Sequence, residues 1–171
     1  MLEDGRKCAM EATPRGEAAT QTREASAPSL RLFLADVADE VEFLLARART
    51  IGIIRANVAL AEFGLKVRHY VVLSLAGSDL QPSQRELAEF VQLDPSQIVA
   101  TIDVLESKGL VERAPSRADR RIKVLNATAE GMRVLERARE RVREAEHDSL
   151  VALSARERDQ LRDLLRRIAF S

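Results

Sequence analysis

Apolar residues recur at helical spacing along most of this chain and alternate in only one short stretch. Leu30, Phe33, Leu34, Val37, Val41, Leu44, Ala48 and Ile51 keep the helical period, which predicts one long helix over residues 30–63 with Gly52 as a bend point and Gly64 at its end. A second helix is expected over residues 66–76, with Tyr70, Leu73 and Val72 facing inward. Ser83 followed by Glu86 is a capping-box pair, so a third helix should start at Gln84, with Leu87, Ala88 and Val91 on its apolar face. Asp94 can cap a fourth helix, and Pro95 suits that helix's first position. Ile98, Ile102 and Leu105 give it one buried stripe, and Gly109 is the residue type that tolerates the left-handed position where it stops. The third and fourth helices are joined by about three residues, the spacing of a helix-turn-helix.

The alternating stretch comes next. Residues 110–114 and 121–125 read as two strands, the second because Ile122 and Val124 alternate with Arg121 and Lys123. Thr128 can cap a helix to about residue 147, with a narrow stripe of Met132, Leu135, Ala138, Val142 and Ala145. Ser154 and Glu157 form another capping box, and Leu161, Leu164, Leu165 and Ile168 are the stripe of the last helix. The expected fold class is mainly α with one small β-hairpin.

Composition narrows this picture. Aromatic residues make up 4% and Trp is absent, so the core must be built from Leu, Val, Ile and Ala. The formal net charge is zero, so any argument for nucleic acid has to be local. It is supplied by residues 113–123, where Arg113, Arg117, Arg120, Arg121 and Lys123 face a single anion, Asp119, for a net charge of +4. A cationic ribbon beside a short reading helix suits phosphate and minor-groove contact. Residues 1–29 are rich in Ala, Thr, Glu, Arg and Pro, which predicts a disordered tail with Cys8 in it as a bystander. One cysteine permits no intrachain disulfide, which fits the cytoplasm, and no apolar run approaches a membrane span or a signal-peptide core.

Five stretches in order bring a family into view: Gly64-Leu65-Lys66-Val67-Arg68-His69-Tyr70-Val71-Val72-Leu73, Glu86-Leu87-Ala88, Leu105-Glu106-Ser107-Lys108-Gly109-Leu110-Val111, Asp119-Arg120-Arg121 and Thr128-Ala129-Glu130-Gly131. In these the chain resembles the MarR family of winged helix-turn-helix regulators, from about residue 30 to the end. The resemblance implies a domain over residues 30–171, with a winged helix-turn-helix at 64–127 and dimerisation helices at 30–63 and 128–171. It implies a homodimeric, sequence-specific transcriptional regulator, a repressor relieved by a small molecule, on an inverted-repeat operator in double-stranded DNA. Two-fold symmetry would set the reading helices about 34 Å apart, in successive major grooves.

Ser96, Gln97, Val99 and Ala100 are the candidate base-reading residues near the start of the fourth helix. Gln97 can pair bidentately with adenine, Ser96 can reach a base or a phosphate, and Val99 and Ala100 can touch thymine methyls. Gln97 also stands where a capping partner belongs, and either use, or both, fits. Many relatives have Thr and Arg where Val99 and Ala100 stand, so the resemblance carries no arginine–guanine contact over to this helix. In the wing, the resemblance gives Asp119 the task of fixing the loop by pairing with an Arg, and gives Arg121 the minor groove. Arg120 and Arg117 would touch phosphate or groove, while Asp103 and Glu106 are expected to be solvated or paired with a cation.

The family's effector pocket would be bordered by Arg68, His69 and Tyr70; His69 is either an ionisable contact or a satisfied histidine. His69 and His147 lack metal-ligand spacing, so neither a metal nor another cofactor is expected. No phosphate loop or Gly-x-Ser-x-Gly elbow is present, which argues against an enzyme. The competing reading is a winged helix used as a protein-interaction module without specific DNA binding. Salt-dependent binding to duplex DNA separates the two.

Overall fold

The structure, a computed structural model, describes residues 30–116 and 119–171. The tail with Cys8, and Arg117 in the wing loop, lie outside the described residues. The chain divides into two compact units, residues 1–38 and 39–171.

In the first unit the expected start of the long helix is corrected. Leu30–Leu34 is a 3₁₀ turn, and another spans Asp36–Asp39 across the unit boundary. Ala35 N–H donates to Leu32 O (3.3 Å) and Ala38 N–H to Ala35 O (2.8 Å), bonds of the tighter i to i+3 kind. Phe33, Leu34 and Val37 remain 48%, 87% and 44% exposed, so the stripe that marked this segment as helix is not buried. Helical stability in a protein comes mostly from packing that stripe, and here the packing is missing.

The second unit holds six α-helices and one hairpin among its described residues. α1 runs Val41–Leu60, passes through Gly52 unbroken, and ends in a short 3₁₀ turn, Ala61–Phe63, at Gly64, whose φ of +62° fits the predicted stop. α2 is Val67–Ala76, α3 is Gln84–Val91 and α4 is Pro95–Ser107. The hairpin pairs β1, Val111–Pro115, with β2, Lys123–Ala127, in antiparallel register from Val111 opposite Ala127 to Pro115 opposite Lys123. Leu125 N–H also donates to Pro82 O (2.9 Å), and Ser83 bridges Val124, so the segment before α3 adds one pairing to the hairpin. α5 is Ala129–Ser149 and α6 is Ala155–Ala169.

Both strands start later than the alternation predicted. Arg121 and Ile122 belong to the turn, where Ile122 N–H donates to Asp119 O (3.0 Å), and Ile122 is 48% exposed. In β2 the neighbours Val124 and Leu125 are both buried, because α3 packs on the strand as well as α2 and α5.

The core is aliphatic, as composition required. Leu73, Leu87, Ile98, Ile102, Leu105, Leu125 and Leu135 are all at least 98% buried. α2, α3, α4, the hairpin and α5 all contribute to it, but α1 supplies only Leu60 and α6 nothing. α1 packs along α5, aided by Glu62 against Arg141 (2.8 Å) and the Arg137 guanidinium 5.2 Å over the Phe63 ring. Leu164, Leu165 and Ile168 of α6 stay 50%, 40% and 63% exposed.

Candidate nucleic-acid interface

The helix pair is positioned by local signals that act as expected. The Ser83 hydroxyl accepts from Glu86 N–H (3.3 Å), and Glu86 accepts from Ser83 N–H (2.7 Å), closing the box. The Ser83 hydroxyl and N–H together hold the Glu86 carboxyl below its ordinary range. Gln92 takes the left-handed conformation (φ +53°) at the end of α3. Asp94 then caps α4 by accepting from Ser96 N–H (2.8 Å). At the far end Leu110 N–H donates to Leu105 O (3.0 Å) and Gly109 N–H to Glu106 O (2.8 Å), with Gly109 at φ +67°. These two bonds are a Schellman stop, and they bury Leu110 where the hairpin begins.

The cap geometry decides what the start of α4 can offer. The Asp94 carboxylate accepts from the Ser96 N–H and hydroxyl, and no box forms with the Gln97 side chain. Gln97 and Ala100 are exposed, Val99 is half-buried, and the Gln97 side chain has no hydrogen-bond partner among the described residues. The amide of Gln97 is therefore free for an outside partner. The Ser96 hydroxyl is bound to Asp94 and would have to turn to serve one.

The wing carries less free charge than its sequence suggested. Arg113 is spent on α4, donating to Glu106 and to Asp103 (2.7 Å). Asp103 and Glu106 are thus paired with an Arg, as expected. Asp119 fixes the loop through the main chain: its carboxylate accepts from Arg121 N–H (2.9 Å), and among the described residues it forms no ion pair with an Arg. Arg120, Arg121 and Lys123 are exposed and in no ion pair among the described residues.

The arrangement matches known proteins. A sequence model of the MarR family matches residues 63–122, from the end of α1 to the wing turn. A MarR-family transcriptional regulator from Rhodococcus sp. RHA1 superposes with a TM-score of 0.72 at 39% identity, covering 78% of this chain and 96% of that one. The chain belongs to the MarR family. CouR from Rhodococcus jostii RHA1, solved with p-coumaroyl-CoA bound, is 40% identical over 78% of this chain and 94% of its own, with a TM-score of 0.70. A Thauera aromatica protein named for transcriptional regulation of the hcr operon is 35% identical over 99 residues, 58% of this chain. The chain spans 60% of that curated relative's length.

In this MarR-family chain the cap position of α2 holds no hydroxyl. Lys66 stands at the cap, and an ammonium has no acceptor to offer. Two other groups serve instead: His69 Nδ1 accepts from Lys66 N–H (3.0 Å), and Asn57 Oδ1 of α1 accepts from Val67 N–H (2.9 Å). His69 is 95% buried, and its Nε2 has no partner among the described residues. Burial first, then the charges of Arg68, Lys66 and Lys108, push its pKa below the ordinary 6.5. His69 is a neutral capping group in this fold, a role the sequence signals only by its place three residues after Lys66. Arg68 is exposed and Tyr70 half-buried on the same helix.

Two clefts lie elsewhere. One of about 900 Å³ runs between α1 and α5, lined by Ile54, Val58, Ala145 and Val151 together with Arg55, Glu62, Arg141, Glu144 and Asp148. Another, of about 700 Å³, is bounded by α1, α5 and α6, with Leu45, Ala56, Val142, Leu150, Leu161 and Leu165 among its walls. Neither includes Arg68, His69 or Tyr70. The charges of the first cleft hid in the Arg and Glu pattern of α5, which reads as a solvated helix face. Among the described residues no cluster of His, Cys, Asp and Glu is placed to hold a metal, and no helix is long and apolar enough to cross a membrane.

Proposed function

We propose that this MarR-family chain is a dimeric repressor that reads an inverted repeat in double-stranded DNA and is released by a small-molecule effector. It acts in the cytoplasm by binding, without catalysis of its own. The observation that carries the reading is the start of α4: its caps are satisfied by Asp94, while Gln97 and Ala100 project with no internal partner. Val99 and Ser96 extend that surface, Arg120, Arg121 and Arg117 supply the wing contacts, and Asp119 shapes the wing loop. A polar, uncharged reading surface flanked by cations suits base-edge contact held in register by phosphate contact.

The apolar stripes of α1 and α6 support the dimer, since exposed leucines in a row call for a covering partner and a second copy is the commonest one. The p-coumaroyl-CoA bound by the Rhodococcus jostii relative supports a small organic effector. Arg68, His69 and Tyr70 remain the proposed border of its pocket, with Arg68 the accessible charge.

Selection of bound duplexes from a random pool at near-physiological salt tests the reading. Enrichment of an inverted repeat with half-sites about ten base pairs apart is the expected result. Weak binding that salt abolishes, with no sequence enriched, would overturn it and favour a protein-interaction module.

A further inference from the structure

Arg113 stands in the basic run of the wing, yet its guanidinium is turned onto α4. It lies in β1 opposite Leu125, four residues after Gly109. Its guanidinium divides between two carboxylates of α4, one nitrogen donating to Glu106 and the other to Asp103 Oδ1 (2.7 Å). Its main-chain N–H also donates to Glu106 Oε1 (3.2 Å). Asp103 and Glu106 are three residues apart, so both lie on one face of α4 and meet one side chain. The arginine side chain keeps 27% of its exposure, Glu106 31% and Asp103 58%, so the Arg113–Glu106 pair is partly shielded from water and Asp103 lies at its open edge.

We propose that Arg113 is a positioning residue that sets the pitch of the wing against the reading helix, rather than a DNA contact. The inference rests on the DNA-binding reading above. The hairpin leaves α4 through Gly109 and Leu110 and needs a second anchor to fix its direction. The wing turn begins about three residues past Arg113, or about 10 Å at ~3.3 Å per residue. A swing of about ten degrees at the anchor would carry Arg120 and Arg121 by roughly 2 Å, more than a hydrogen bond tolerates. A forked, planar group is needed to hold two carboxylates at once; an ammonium keeps the charge but not the fork.

Equilibrium binding to the selected operator across a salt series separates positioning from contact. Arg113→Ala should weaken binding about tenfold or more with the salt slope unchanged, whereas loss of a phosphate contact lowers the slope by about one. Arg113→Lys should fall within about threefold of the alanine variant, since charge alone does not restore the fork. The pair Asp103→Asn with Glu106→Gln removes two anions from the reading helix, which electrostatics alone would make tighter-binding. Positioning predicts weaker binding instead, and no further loss when Arg113→Ala is added. Tighter binding by the carboxylate pair, or near-native binding by Arg113→Lys with a lower slope for Arg113→Ala, overturns the proposal. Hydrogen exchange of the hairpin amides gives a readout independent of DNA: Arg113→Lys should speed exchange at Ser116 and Ile122, and unchanged exchange would also overturn it. Failure of the wild-type chain to select any operator would sink the DNA-binding reading and leave the exchange measurement standing.

Discussion

Gly131→Ala tests the junction between the wing and α5. A glycine inside a helix ordinarily gains about 1 kcal/mol when replaced by alanine. Here the sign should reverse. A Cβ built at Gly131 falls 1.9 Å from Leu110 O and 2.9 Å from Leu110 C, both backbone atoms held by the Schellman stop. Reaching the 3.4 Å of ordinary contact from that oxygen requires the first turn of α5 to retreat by 1.5 Å. Two bonds span the same gap, Thr128 N–H to Leu110 O (3.0 Å) and the Thr128 hydroxyl to Gly109 O (2.7 Å). Neither survives such a shift.

Each lost bond removes about 1 kcal/mol. Residual overpacking against an anchored carbonyl adds about 1–3 kcal/mol. Against the helix-propensity gain of about 1 kcal/mol the net loss is about 2–4 kcal/mol, or roughly 4–16 °C in melting temperature for a chain of this size. Circular dichroism melts at matched protein concentration measure it, matched because partner binding also shifts the midpoint. An unchanged or higher midpoint would refute the close approach of α5 to Leu110, and with it the account of why glycine stands at this position.

Four other outcomes follow from the structure. Gln97→Ala should relax base preference in the selected operator by about 1–3 kcal/mol and leave the melting temperature within about 1 °C, because Gln97 caps nothing; a large fall in stability would return it to a structural role. Arg121→Ala should weaken operator binding and lower the salt slope by about one while the chain stays folded; unchanged affinity would remove the wing assignment. His69 has a folded pKa below its unfolded 6.5, so as pH falls through 6.5 the unfolded chain takes the proton first and stability drops. His69→Gln keeps an acceptor for Lys66 N–H without titrating, so its stability should decline less steeply between pH 6.5 and the depressed folded value; parallel curves would show that His69 does not titrate there. Leu165→Glu, on the exposed stripe of α6, should leave the winged helix folded and shift sedimentation from dimer to monomer; an unaltered dimer would move the interface elsewhere.

What the sequence made legible is what is decided within a turn or two of helix. The boxes at Ser83 and Ser154, the Asp94–Pro95 start and the Gly109 stop are settled by residues within about four positions of each other, and all form as read. Counting charge places Arg113 with the other wing cations, because its partners, Asp103 and Glu106, are decided by how β1 folds back along α4, which charge counting does not see. The slip in β2 has the same origin. Alternation joined Ile122 to Val124, but Asp119 closes a turn that takes Ile122 out of the strand. For His69 the sequence leaves a ligand contact and a satisfied histidine both open, because the bond from Lys66 N–H to its ring is evident only once both are folded together.

The long first helix shows a different limit. Periodicity says that a face is meant to be buried; it does not say in which molecule. The stripe of residues 30–51 and that of α6 obey the helical period as well as those of α4 and α5, yet Val41, Leu44, Leu164 and Ile168 are all at least 49% exposed. The winged helix needs neither stripe, since its core closes with Leu60 as the sole buried residue from α1. Selection for helical leucines that the chain itself does not bury makes sense if a second copy buries them. On that reading the 3₁₀ turns before α1 are a segment whose helix waits on the same contact, and dimer assembly and helix completion become a single event.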